Sequence, residues 1–92
     1  MPVSSPPAFS PKQGQYLAFI YTYELLNRQA PAEADFQRFF LVSPPSVHQM
    51  LTTLEKHGWI SRVPRQARST KLLVAPESLP PLEPIKTTAT GY

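Results

Sequence analysis

The chain has no cysteine, three glycines, six acidic side chains and no long apolar run. Each shortage excludes something. Without cysteine there is no disulfide staple, no thiolate metal site and no sulfur nucleophile. The glycines stand alone at 14, 58 and 91, so no glycine-rich loop cradles a phosphate. No stretch of about eighteen apolar residues is present to span a membrane. The N-terminus lacks the charged start and apolar stretch of a secretory signal, so the cytoplasm is the expected setting. His48 and His57 are nine apart, half a turn out of phase on one helix, and paired acids facing a pocket are not evident. No catalytic residue, metal ligand or cofactor is expected.

Proline, by contrast, is plentiful. Seven of the twelve prolines fall in residues 1–9 and 76–92, which show almost no helical periodicity. The chain therefore divides into a flexible N-terminal tail over 1–9, one folded domain over 10–75 and a proline-rich flexible tail over 76–92. The run PESLPPLEP favours extended polyproline conformations. Phe9 is placed to pack as a hydrophobic staple just outside the first helix.

Charge is graded along the chain. Residues 1–55 hold three basic and four acidic side chains, whereas residues 56–75 hold Lys56, Arg62, Arg65, Arg68 and Lys71 with no acid. Positive charge crowded into one segment points to a polyanionic partner more strongly than the overall +3 does.

Helix signals occur three times. Ser10-Pro11-Lys12-Gln13 reads as a capping box with proline at the first helical position. After it, Tyr16, Phe19, Ile20, Tyr23 and Leu26 recur at helical spacing as a core stripe, and Gln29-Ala30-Pro31 ends the helix. A shorter helix spans about Ala32 to Phe40, with Glu33 and Asp35 in its first turn and Phe36, Phe39 and Phe40 on its apolar face. Leu41-Val42-Ser43 then makes a tight turn. Ser43 caps a third helix whose first turn holds Pro44 and Pro45 and whose buried stripe is Val47, Met50, Leu51 and Leu54.

Gly58 stops that helix, Trp59 to Val63 alternates like a strand, and Lys71 to Val74 supplies an antiparallel partner. The expected fold is mainly α with a small β-hairpin: a winged helix-turn-helix of three helices and a two-stranded antiparallel wing.

The outer face of the third helix and the hairpin form the candidate site. Ser43, Pro45, Ser46, His48, Gln49, Thr52, Thr53 and Lys56 line a polar helix face almost free of carboxylate, which phosphates would otherwise repel. Gln49 can pair with adenine through its amide, and the threonine methyls can touch thymine. Arg62, Arg65, Gln66, Arg68, Ser69 and Lys71 belong to the wing, able to straddle a phosphate backbone or enter a minor groove.

Residues 10–75 resemble the N-terminal winged-helix DNA-binding domain of the LexA repressor, and more loosely MarR-type regulators. The likeness rests on the proline before the second helix, Ser43-Pro44, Leu51 to Gly58 leading into an apolar strand, the basic wing and Lys71-Leu72-Leu73. It implies that Ser43, Pro45, Ser46, His48 and Gln49 read an operator. The sequence departs from that family at Leu41, where glycine is usual, and at Gln37, where alanine is usual. The 17 residues after Ala75 do not supply LexA's self-cleaving domain.

Double-stranded DNA is the expected partner of a transcriptional regulator. A homodimer through the aromatic first helix or the tails is left open, as is a protein partner for the proline-rich tail. The alternative is a winged-helix scaffold inside a larger complex that never touches DNA.

Overall fold

A computed structural model describes residues 8–84. Three helices, α1 (Pro11–Asn27), α2 (Glu33–Phe40) and α3 (Pro44–Lys56), precede a hairpin of β1 (Ile60–Ser61) and β2 (Lys71–Leu72). The strands pair antiparallel, Ile60 opposite Leu72 and Ser61 opposite Lys71. This is the three-helix, two-strand winged helix-turn-helix that the periodicities predict.

The capping chemistry decides where the helices begin. Ser10 Oγ accepts the Gln13 N–H at 3.1 Å while Gln13 Oε1 accepts the Ser10 N–H at 2.8 Å, closing a reciprocal box at the start of α1. Ser43 Oγ accepts the Ser46 N–H at the start of α3, and Pro44 and Pro45 follow where amide donors would have lacked intrahelical partners. At α2 the side chain three residues in does the work: Asp35 Oδ2 accepts the Ala32 N–H at 2.8 Å.

Tyr16, Leu17, Ile20, Phe36, Val47, Leu51, Leu54 and Ile60 form a core in which none exceeds 1% exposure. Tyr16 stacks on Phe40 at 4.3 Å, and Phe19 meets Phe36, Phe39 and Phe40 within 5.6 Å. Burying such rings removes apolar area worth roughly 2 kcal/mol each from water.

The α1 stripe differs from expectation in two places. Leu17 is fully buried, and Leu26 is 75% exposed. Seventeen residues carry α1 about 25 Å, past the eight-residue α2. Its last turn, with Leu25 and Leu26, thus projects beyond the core.

The strands are shorter than the alternation from Trp59 to Val63 and Lys71 to Val74 implies, at two residues each. One further bond, from Leu73 N–H to Trp59 O at 2.8 Å, extends the pairing. Beyond Arg62 the loop turns away, with Arg65 and Arg68 in left-handed conformations at φ 63° and 56°.

Where they are described, parts of both tails pack against the domain. Phe9 packs edge-on against Trp59 at 4.8 Å. Residues 76–84 lie along α1 as a strap that opens with a short 3-10 turn (Pro76–Ser78), with Leu79 and Leu82 against the core. Gln15 clasps the strap twice, donating to Pro81 O at 2.9 Å and accepting from the Glu83 N–H at 2.8 Å. Composition alone marks PESLPPLEP as non-helical and says nothing of this landing place. The remaining tail residues, 1–7 and 85–92, fall outside the described residues.

Candidate nucleic-acid interface

The turn between α2 and α3 fixes how the third helix is presented. Leu41 adopts φ 55°, ψ 50° at the C-cap of α2, and its N–H returns to Gln37 O. A side chain in this left-handed region costs on the order of 1 kcal/mol. Gly58 makes the corresponding turn after α3 at φ 77°, where glycine suffers no such cost.

On α3, Val47, Leu51 and Leu54 point inward, while Pro45, Ser46, His48, Gln49, Thr52 and Lys56 are exposed and Thr53 is half-buried. Ser43 is exposed just ahead of them as the cap. The face is flanked on both sides. Along one edge a groove of about 600 Å³ runs between α3 and the first turn of α1, lined by Lys12, Gln13, Ser46, Gln49 and Thr53. Along the other a cleft of about 550 Å³ separates His48 and Glu55 from the wing loop, Val63 to Thr70. Helix face and wing are therefore neighbours, as a duplex-gripping surface requires.

The five cations of residues 56–75 fall into two groups. Arg62 is 19% exposed and turned inward, donating to Glu55 Oε1 at 3.1 Å and lying 3.6 Å from Glu33 Oε2. Its other neighbour is Thr52 Oγ1, at 3.5 Å. Arg68 folds back across α2 and donates to Asp35 Oδ2 at 3.2 Å, Ala30 O at 3.1 Å and Tyr23 Oη at 3.2 Å. The expectation that both arginines are available to phosphates meets this geometry: each guanidinium already has carboxylate partners.

Lys56, Arg65 and Lys71 are exposed and form no ion pair among the described residues. The loop itself is braced. Ser69 Oγ accepts the Val63 N–H at 2.9 Å and donates to Val63 O at 3.2 Å, and the Gln66 N–H reaches Val63 O, leaving the Gln66 side chain exposed.

Asp35 organises the inner side. It is 7% exposed, beside both Arg68 and Arg38. Burial pushes its carboxyl up, but the Ala32 N–H, the Arg68 charge, the Tyr23 hydroxyl and the Arg38 charge together bring it below the usual carboxylate range. Arg68 is held more firmly protonated, first by its bond to Tyr23 and then, against some desolvation, by the charge of Asp35 and its bond to that carboxylate.

Lys12 is the residue that sequence reasoning passes over. It lies outside the basic segment and joins the α3 groove only because the start of α1 packs there. The two histidines, out of phase in sequence, also part in space: His48 faces Glu33 at 3.9 Å and His57 stacks on Trp59 at 4.3 Å.

Three helices with a tight second turn, an exposed polar third helix and a basic hairpin beside it define a winged helix-turn-helix DNA-binding domain. Residues 8–67 match the family of iron dependent repressors, N-terminal DNA binding domain, and the chain belongs to that family. It is similar to a LexA repressor of Thermosipho melanesiensis (strain DSM 12029 / CIP 104789 / BI429), with 36% identity over 75 residues, 82% of this chain and 37% of that protein. A LexA repressor of Thermosipho africanus (strain TCF52B) is 34% identical over 68 residues, 74% of this chain and 34% of its own length. The chain thus spans about a third of the length of the curated relatives it matches. Among the described residues, no helix is long and apolar enough to cross a membrane.

Proposed function

We propose that this chain regulates transcription in the cytoplasm by gripping double-stranded DNA, with α3 in the major groove and the wing against the backbone. The observation that carries this reading is the exposed α3 face, polar and without carboxylate from Ser43 to Thr53, bordered by Lys12 on one side and Arg65 on the other, neither in an ion pair among the described residues. Family membership supports the same reading and favours it over a scaffold role.

The phosphate contacts are Lys12, Lys56, Arg65 and Lys71, with Arg62 and Arg68 serving inside the protein. Ser43, Pro45, Ser46, His48, Gln49, Thr52 and Thr53 face the groove, while Gln66 and Ser69 shape the wing that follows the strand. Four neutralised phosphates give a log K against log salt slope of about −3.6. A salt titration of duplex binding tests this directly, and an affinity insensitive to salt overturns it.

A further inference from the structure

We propose that this surface selects A·T-rich duplex DNA, with Gln49 the adenine reader and the methyl groups of Thr52 and Thr53 meeting thymine. The inference rests on the DNA-binding reading above and adds the class of target. It comes from which polar groups on α3 are already engaged. Thr53 Oγ1 donates to Gln49 O at 3.0 Å, one turn back along its own helix. Thr52 Oγ1 lies 3.5 Å from Arg62 Nη2, on the side of the wing. Ser46 Oγ pairs with Ser43 Oγ at 3.0 Å. The Ser43, Ser46 and Thr53 hydroxyls thus have partners within the protein, Thr52 Oγ1 accepts a long contact from Arg62, and each threonine also carries a methyl.

The backbone contributes little polarity at this end of the helix. Pro44 and Pro45 have no N–H, the Ser46 N–H goes to Ser43 Oγ, and the Val47 N–H goes to Ser43 O at 3.2 Å. His48 is turned toward Glu33 at 3.9 Å. Gln49 is exposed, and its side-chain amide forms no hydrogen bond among the described residues.

A free amide at this position matches the N6 and N7 edge of adenine, whereas the commonest guanine contact is made by arginine or lysine. No arginine lies on α3, and its one lysine, Lys56, is in the last turn. Pro45 adds ring methylenes four residues before Gln49, on the same exposed side. The wing points the same way: Arg65, exposed and unpaired in its loop, suits the narrow, strongly negative minor groove of A·T tracts.

The test compares affinities of the full chain for duplexes of equal length by fluorescence anisotropy. One is A·T-rich and one G·C-rich; two copies of the A·T-rich duplex carry deoxyuridine for thymidine or 7-deaza-adenine for adenine. The expected result is at least about tenfold preference for the A·T-rich duplex. Loss of each contacted thymine methyl weakens binding about fourfold. The 7-deaza substitution weakens binding of the native chain and leaves Gln49→Ala unchanged.

Equal affinity for A·T-rich and G·C-rich duplexes, with the salt slope intact, overturns the inference and spares the function. Insensitivity to both base analogues likewise overturns it. Absence of salt-dependent binding to every duplex removes the function and the inference together. Because the analogues alter only the DNA, none of these overturning results depends on a variant's ability to fold.

Discussion

Arg68 leaves the wing and reaches the carboxylate of Asp35, 3.2 Å away and 33 positions earlier in the chain. The pair ties the β-hairpin to the first turn of α2, where the same carboxylate receives the Ala32 N–H. Electrostatics and helix capping are therefore joined at one buried group, and the wing takes its pose from the helix-turn-helix.

Acid should loosen this joint. The Asp35 carboxyl is held below its usual range in the folded state, so the unfolded chain binds the proton more readily. Its stabilisation is fully present above the ordinary carboxylate pKa and disappears as pH falls through the lower folded value. Thermal unfolding followed from about pH 6 down to about pH 2 should show a fall in Tm that Asp35→Asn flattens. An identical pH profile in the variant would contradict the assignment. At neutral pH, Asp35→Ala removes the cap acceptor and should cost about 1–2 kcal/mol.

Leu41 offers the opposite test, a gain. It is 62% exposed at φ 55° and has little packing to lose. Leu41→Gly relieves left-handed strain of on the order of 1 kcal/mol, partly offset by the greater freedom of glycine in the unfolded chain. A net gain of about 0.5 kcal/mol corresponds to a Tm roughly 2–4 °C higher. Unchanged duplex affinity would show that the turn keeps its path.

These two residues also mark how far the chain is legible before its structure is known. Leu41 stands out at once, because it occupies a place where the resembling family usually has glycine. The caps at Ser10 and Ser43 and the α3 core stripe are equally local, fixed by hydrogen bonds and periodicity within four residues. The partner of Arg68 is not local. In sequence it is one of five cations in an acid-free stretch, and only folding brings Asp35 beneath it. Arg62 is hidden in the same way by Glu33 and Glu55, and Lys12 gains its place by tertiary packing alone. Local chemistry thus locates the elements of the proposed interface, while ion pairing across the fold decides which cations remain for a ligand.

The two kinds of arginine should separate in a salt titration. Arg65→Ala, Lys71→Ala and Lys12→Ala each remove one phosphate contact and should each make the slope shallower by about 0.9. Arg68→Ala should leave the slope near that of the native chain while lowering Tm, because its guanidinium is engaged with Asp35, Ala30 and Tyr23. A loss of about one slope unit in Arg68→Ala, with Tm unchanged, would place that side chain on the DNA instead.

Gly14 provides a test of the strap. It is buried in α1, where alanine is ordinarily better by about 1 kcal/mol. Here, however, an added Cβ would lie 2.9 Å from Pro80 Cγ and 3.3 Å from Pro80 Cδ. A proline ring cannot swing aside as a long side chain does, so the strap itself must move. Gly14→Ala should therefore increase hydrogen exchange at the Glu83 amide, which is held by Gln15 in the native chain. In a chain ending at Ala75 the clash disappears, and the same substitution should raise stability by about 1 kcal/mol. Opposite behaviour in the two backgrounds isolates the Pro80 contact from helix propensity. Equal stabilisation in both would mean that the strap contributes nothing to holding α1.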